Sequence, residues 1–174
     1  MKISLLHLYI LVFTGLVSTS SMCKKDENTD PEFTSLIGYW KLKSGKTFAI
    51  NSNGQEIVAA TFNPGTVAHE FLSNGVYKGH DLVGGTPVET GTWELNVTKL
   101  DVKDIEEGTL SIKTPFTQAM AGDIFVDPDG SIKYSISSIE KPIGGSKPII
   151  TLQTKAYEAY PYDRAWAVYV FEKQ

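Results

Sequence analysis

From Phe33 onward, apolar and polar residues alternate in short runs, and turn-forming residues separate the runs. A period of two places successive side chains on opposite faces of an extended strand. The first run, Leu36-Ile37-Gly38-Tyr39-Trp40-Lys41-Leu42, puts Trp40 and Leu42 on one face. Further runs predict strands over 47–50, 55–62, 66–72, 76–78, 89–97, 99–102, 109–114, 123–126, 131–139, 149–157 and 165–172. Between them stand Asn51-Ser52-Asn53-Gly54, Asn63-Pro64-Gly65, Ser73-Asn74-Gly75 and Asp127-Pro128-Asp129-Gly130. Asn and Gly suit such turns because both tolerate a positive φ. Residues 115–122 are the one place where a short helix is predicted.

Many strands without a long helical pattern predict an antiparallel all-β domain, with a sandwich and a barrel both open. The last run, Ala165-Trp166-Ala167-Val168-Tyr169-Val170-Phe171-Glu172, is apolar on both faces. That fits a sandwich strand with one covered edge, or a barrel strand lining an apolar interior.

The segment before the strands has another character. Met1-Lys2 is short and positive, residues 3–17 are mostly apolar, and Ser18-Thr19-Ser20-Ser21 leads to Cys23. This reads as a secretory leader, with an apolar stretch too short to span a bilayer. Cys23 is the only cysteine of the 174 residues. The segment resembles a bacterial lipoprotein signal peptide, with Ser20 and Met22 in place of the usual residues. The resemblance implies that residues 1–22 are removed and that Cys23 is lipidated, for example with palmitate. Residues 23–33 then form a polar tether. Its Lys25-Asp26-Glu27 resembles the tethers of Bacteroidota lipoproteins exported to the cell surface, which implies an outer-membrane location.

Composition narrows the function. The net charge is −4 and the 16 basic residues include one arginine, Arg164, without a basic stripe. Phosphate binding needs clustered Lys and Arg, so nucleic acid is not expected as a partner. His69-Glu70 and His80-Asp81 offer no ligand triplet, so no metal is expected, and no cofactor motif is present. Asp127-Pro128-Asp129-Gly130 reads as a type I turn with proline second rather than a calcium loop. No serine–histidine–aspartate set and no paired carboxylates emerge, so no enzymatic activity is expected. The aromatic residues Trp93, Tyr160, Tyr162, Tyr169 and Phe171 remain as candidates for ligand contact. Tyr160 and Tyr162 flank Pro161 in a connection and are expected near a rim. The loops at Gly84-Gly85 and Gly144-Gly145 could frame an opening.

Four further stretches carry a resemblance. Leu36-x-Gly38-x-Trp40-x-Leu42 resembles the Gly-x-Trp opening strand of lipocalins. Phe71-Leu72-Ser73-Asn74-Gly75-Val76-Tyr77 and Gly91-Thr92-Trp93-Glu94-Leu95 are similar to elements of the bacterial lipocalin-like lipoproteins, and Leu100-Asp101-Val102 matches the strand that follows. The family implies a domain over 34–174 folded as an up-and-down antiparallel barrel of eight to ten strands. It implies a barrel closed by Gly38, Trp40 and a basic residue of the last strand, here Lys173 rather than Arg164. It also implies a small apolar or amphipathic ligand. The alternative is a surface module contacting glycan or a partner protein through its loops.

Overall fold

The computed structural model describes residues 35–101, 104–122, 125–140, 144 and 146–174. The leader, Cys23 and the tether lie outside the described residues.

The described strands are β1 (Gly38–Ile50), β2 (Glu56–Phe62), β3 (Val67–Phe71), β4 (Val76–Asp81), β5 (Glu89–Asp101), β6 (Asp104–Lys113), β7 (Ile132–Glu140), β8 (Ile149–Thr154), β9 (Tyr157–Ala159) and β10 (Tyr162–Lys173). One helix, α1 (Pro115–Ala119), follows β6. Every strand pairing is antiparallel, and the sheet order is β2-β1-β3-β4-β5-β6-β7-β8-β10-β9. β10 also pairs with β1 from Lys173 opposite Trp40 to Arg164 opposite Ile50. That pairing closes an eight-stranded antiparallel barrel, with β2 and β9 as extra strands on its rim. Closure removes the free edges of the eight barrel strands, which an open sheet would expose to other chains.

β1 shows why sequence periodicity alone divides it in two. The run breaks at Lys43, where the register with β10 shifts between Leu42 and Ser44. This is a β-bulge, one extra residue that bends the strand and keeps it paired. The bulge also restores the facing: Leu42 stands opposite Phe171, and Gly45, Thr47 and Ala49 stand opposite Tyr169, Ala167 and Ala165. Residues 43–46, read from periodicity as an interruption, are therefore strand. The separate strand expected at 99–102 is likewise the end of β5, with Val102 outside the described residues. Phe125 and Val126 are a turn and a bend rather than strand. The turn after them holds, with Gly130 N–H donating to the Asp127 carbonyl at 2.8 Å and Pro128 second. The Asp127 side chain is buried and accepts from Lys133 and Lys155, tying this turn to β7 and to the end of β8.

The interior is one apolar cluster that includes Trp40, Leu42, Phe71, Trp93, Leu110, Ile136, Leu152 and Phe171. Full burial of side chains this large contributes about 1.5–3 kcal/mol each, which favours the closed form. The two-sided apolarity of β10 has a simple cause. Tyr169 and Phe171 face the interior, and on the outer face Trp166 stacks on Phe48 with ring centroids 5.8 Å apart.

Candidate functional site

Trp40 plugs one end of the barrel. Its indole N–H donates to the Leu36 carbonyl at 2.7 Å. The Lys173 ammonium lies 5.5 Å from the centre of the indole and donates to the Ser35 carbonyl at 3.1 Å. A cation over an indole face gains about 0.5–1 kcal/mol, and more when desolvated. Burial holds the Lys173 pKa below its usual value. Gly38 has φ +132°, and a Cβ there would meet Lys173 Cε at 2.7 Å, so glycine is the residue that lets the lysine lie across the end. Arg164 is at the other end of β10, opposite Ile50.

The end away from Trp40 carries the 82–88 loop, α1 and the strand extensions. β4 and β5 pair only from Val76 to Gly79, then diverge into this loop. Between them lies a cavity of about 630 Å³, lined among others by Val67, His69, Tyr77, Val88, Glu89 and Phe116. Such a volume suits a small ligand. Asp81 builds the rim: it accepts from the backbone N–H groups of Gly84 and Val83 at 2.8 and 3.0 Å and from the Thr86 hydroxyl at 2.9 Å. These donors hold its carboxyl below the usual range. A Cβ on Gly84 would stand 2.2 Å from the Asp81 carboxylate, so the loop needs glycine there. Glu89 accepts from the Phe116 N–H at 3.1 Å and so ties α1 to the mouth. Thr114 and Thr117 cap α1 reciprocally, which fixes Phe116 at the rim with 62% of its surface exposed.

His69 and Tyr77 form the polar part of the wall. The His69 Nδ1 lies 2.6 Å from the Tyr77 hydroxyl. Its ring centre is 4.5 Å from that of Phe171. His69 is partly buried in the barrel wall, and the cavity reaches its ring. Burial first, then the neighbouring His80, lower its pKa from 6.5 to about 4. Burial likewise pushes the Tyr77 phenol above its usual range. His80 leaves the strand on the other side, 3.3 Å from Glu70 and edge-on to Tyr39. Among the described residues no group of three His, Cys, Asp or Glu is placed to hold a metal ion.

The five aromatic candidates do not gather around this cavity, and none of them lines it. Trp93 is in the buried core, its N–H donating to the Leu72 carbonyl at 3.0 Å and its ring 5.6 Å from Phe71. Phe171 backs His69, and Tyr169 packs between Phe62, Tyr134 and Phe171. Tyr162 packs on Ala49, Ala159 and Ala165. Tyr160 is 100% exposed at the β9–β10 turn. The Gly84-Gly85 loop borders the cavity, and Gly144 belongs to the β7–β8 connection at the Trp40 end, with Gly145 outside the described residues. The two glycine loops therefore do not frame one opening. His69 was legible through the alternation Val67-x-His69-x-Phe71, which sets it on the face of Phe71.

No protein-family model matches this chain, and no curated protein matches it.

Proposed function

We propose that the chain is a lipid-anchored, non-catalytic, lipocalin-like barrel that holds a small apolar or amphipathic ligand. The cavity beneath the 82–88 loop carries this reading, because apolar Val67, Val88 and Phe116 surround a few convergent polar groups. The non-catalytic reading is supported by the burial of the polar groups in the wall. Proton transfer near neutral pH needs groups tuned toward neutrality, whereas His69 and Tyr77 are driven away from it in opposite directions. Asp81 and Glu89 are engaged in holding the loop and α1. A titration of purified mature protein with phenylnaphthylamine, a neutral apolar fluorophore, tests the reading. Saturable binding that Val67→Gln weakens is expected, and no saturable signal would overturn it.

The anchor rests on the leader and on Cys23. Cys23→Ala is expected to abolish palmitate labelling and release the protein from membranes, and retained labelling would rule the anchor out. A second reading, a surface module that contacts glycan or a partner protein, draws on the fully exposed Tyr160 and the exposed Ile57, Val58 and Phe62 of β2. Loss of a glycan or partner signal on Tyr160→Ala, with phenylnaphthylamine binding intact, would favour it.

A further inference from the structure

Two segments without a charge border the mouth of the cavity. Residues 82–88 and 114–122 contain no Asp, Glu, Lys or Arg, in a chain of which 21% is charged. They are joined at the mouth, where Glu89 accepts from the Phe116 N–H. Between them they present Leu82, Val83, Val88, Phe116 and Met120, each with 38–74% of its surface exposed. Val88 and Phe116 also line the cavity, so the exposed apolar surface runs on into the apolar interior. Among the described residues, the Trp40 end exposes no large apolar side chain. A contiguous exposed apolar patch marks a contact with something apolar.

Hydrogen bonding and charge decide what can cover this rim. A protein partner exchanges about one hydrogen bond per 100–200 Å² of contact. The rim has few to give, because four of its five apolar residues have their N–H groups engaged within the chain. Leu82 donates to the Thr66 carbonyl at 2.8 Å and Val83 to the Asp81 carboxylate at 3.0 Å. Phe116 donates to Glu89 and Met120 to the Phe116 carbonyl, both at 3.1 Å. The Thr86 and Thr117 hydroxyls donate to Asp81 and to the Thr114 carbonyl. Hydrocarbon accepts backbone only where its polar groups are satisfied internally, as they are here. Asp81 and Glu89 border the cavity, and no lysine or arginine does. Anionic headgroups therefore find no cation at the mouth, and a zwitterionic surface fits it.

We propose that the rim docks on a zwitterionic lipid surface, with the apolar side chains of the 82–88 loop and of α1 set at the boundary of headgroups and acyl chains. A docked mouth lets an apolar ligand pass between bilayer and cavity without crossing water, and this consequence rests on the reading of the cavity as a ligand site. The contact is reversible, of the strength of about one acyl chain, and so does not hold Cys23→Ala protein on washed membranes.

The test is co-sedimentation of purified mature Cys23→Ala protein with phosphatidylcholine vesicles, which removes the anchor from the measurement. Half of the protein is expected to bind at about 0.1–1 mM lipid, with little change between low and high salt. Val83 and Met120 do not line the cavity. Val83→Ser with Met120→Ser should weaken vesicle binding about tenfold and leave phenylnaphthylamine binding, measured without vesicles, unchanged. Val58→Ser, an exposed apolar residue of β2, should change neither. Four results would overturn the docking surface: no vesicle binding, binding only to phosphatidylglycerol vesicles, an equal loss in Val58→Ser, or a lipid-free dimer that the double variant dissolves. If phenylnaphthylamine still binds, the ligand-site reading survives each of them. Vesicle binding without phenylnaphthylamine binding would leave the docking surface standing and overturn the ligand-site reading.

Discussion

Gly91 shows how a single residue can be fixed by what crosses it. A Cβ there would come within 2.1 Å of the Lys113 carbonyl oxygen and 2.9 Å of Thr114 Cα, both main-chain atoms that cannot step aside. Gly38 is fixed for another reason, its positive φ and the lysine lying over it. The two Gly-x-Trp stretches thus share a pattern for unrelated physical reasons. Gly91→Ala is expected to cost about 3 kcal/mol by overpacking, seen as a lower urea midpoint at unchanged slope. His69 supplies a pH dependence. Its folded pKa is about 4 against an ordinary 6.5. Above 6.5 neither the folded nor the unfolded chain binds the proton. As pH falls from there toward 4, the unfolded chain takes up a proton that the folded chain refuses, so stability drops. The loss is on the order of 3 kcal/mol, complete below the folded pKa. His69→Phe should flatten this part of a stability-against-pH curve measured by denaturant titration.

At the scale of elements, the strands are unequal. β5 pairs with β6 along nearly its whole length and buries Trp93 and Leu95. β2 pairs with the upper half of β1, and all seven of its residues are exposed. Its register also slips between Thr47 and Phe48. Few buried contacts mean a low free energy of local opening. Hydrogen exchange of β2 amides is expected well ahead of those of β5 and β6, and equal protection would contradict this. Phe62 is the exception within β2. It leans over Gly45 beside Tyr169, where the missing side chain makes room, and anchors the strand at one end.

For the whole molecule, closure depends on the two ends of the domain. β1 and β10 are its first and last strands, yet they share the longest register in the sheet after the bulge is counted. Contacts so distant in sequence form only after a large loss of chain entropy, so folding is expected to be slow and concerted. Removing residues 162–174 takes away the Lys173 plug, Phe171 and the closing edge together. That deletion is expected to abolish the near-ultraviolet dichroism of the buried tryptophans. A native-like signal would show that the remaining strands close without β10.

The amino-acid order alone determined the class of this domain. Period-two runs and Asn-Gly turns dictate antiparallel strands, because they depend only on neighbours along the chain. Trp40 and Leu42 share a face for the same reason. Three things were decided by tertiary structure. The bulge at Lys43 joins two runs into one strand because β10 holds the register on both sides of it. The aromatic residues of β10 divide between core and outer stack according to which face each barrel wall turns inward. The cavity forms where β4 and β5 part, and it gathers His69 and Tyr77 with Phe116, residues that no local pattern connects. Local pattern sets the direction of a side chain relative to its own strand. Closure of the barrel sets what that side chain meets.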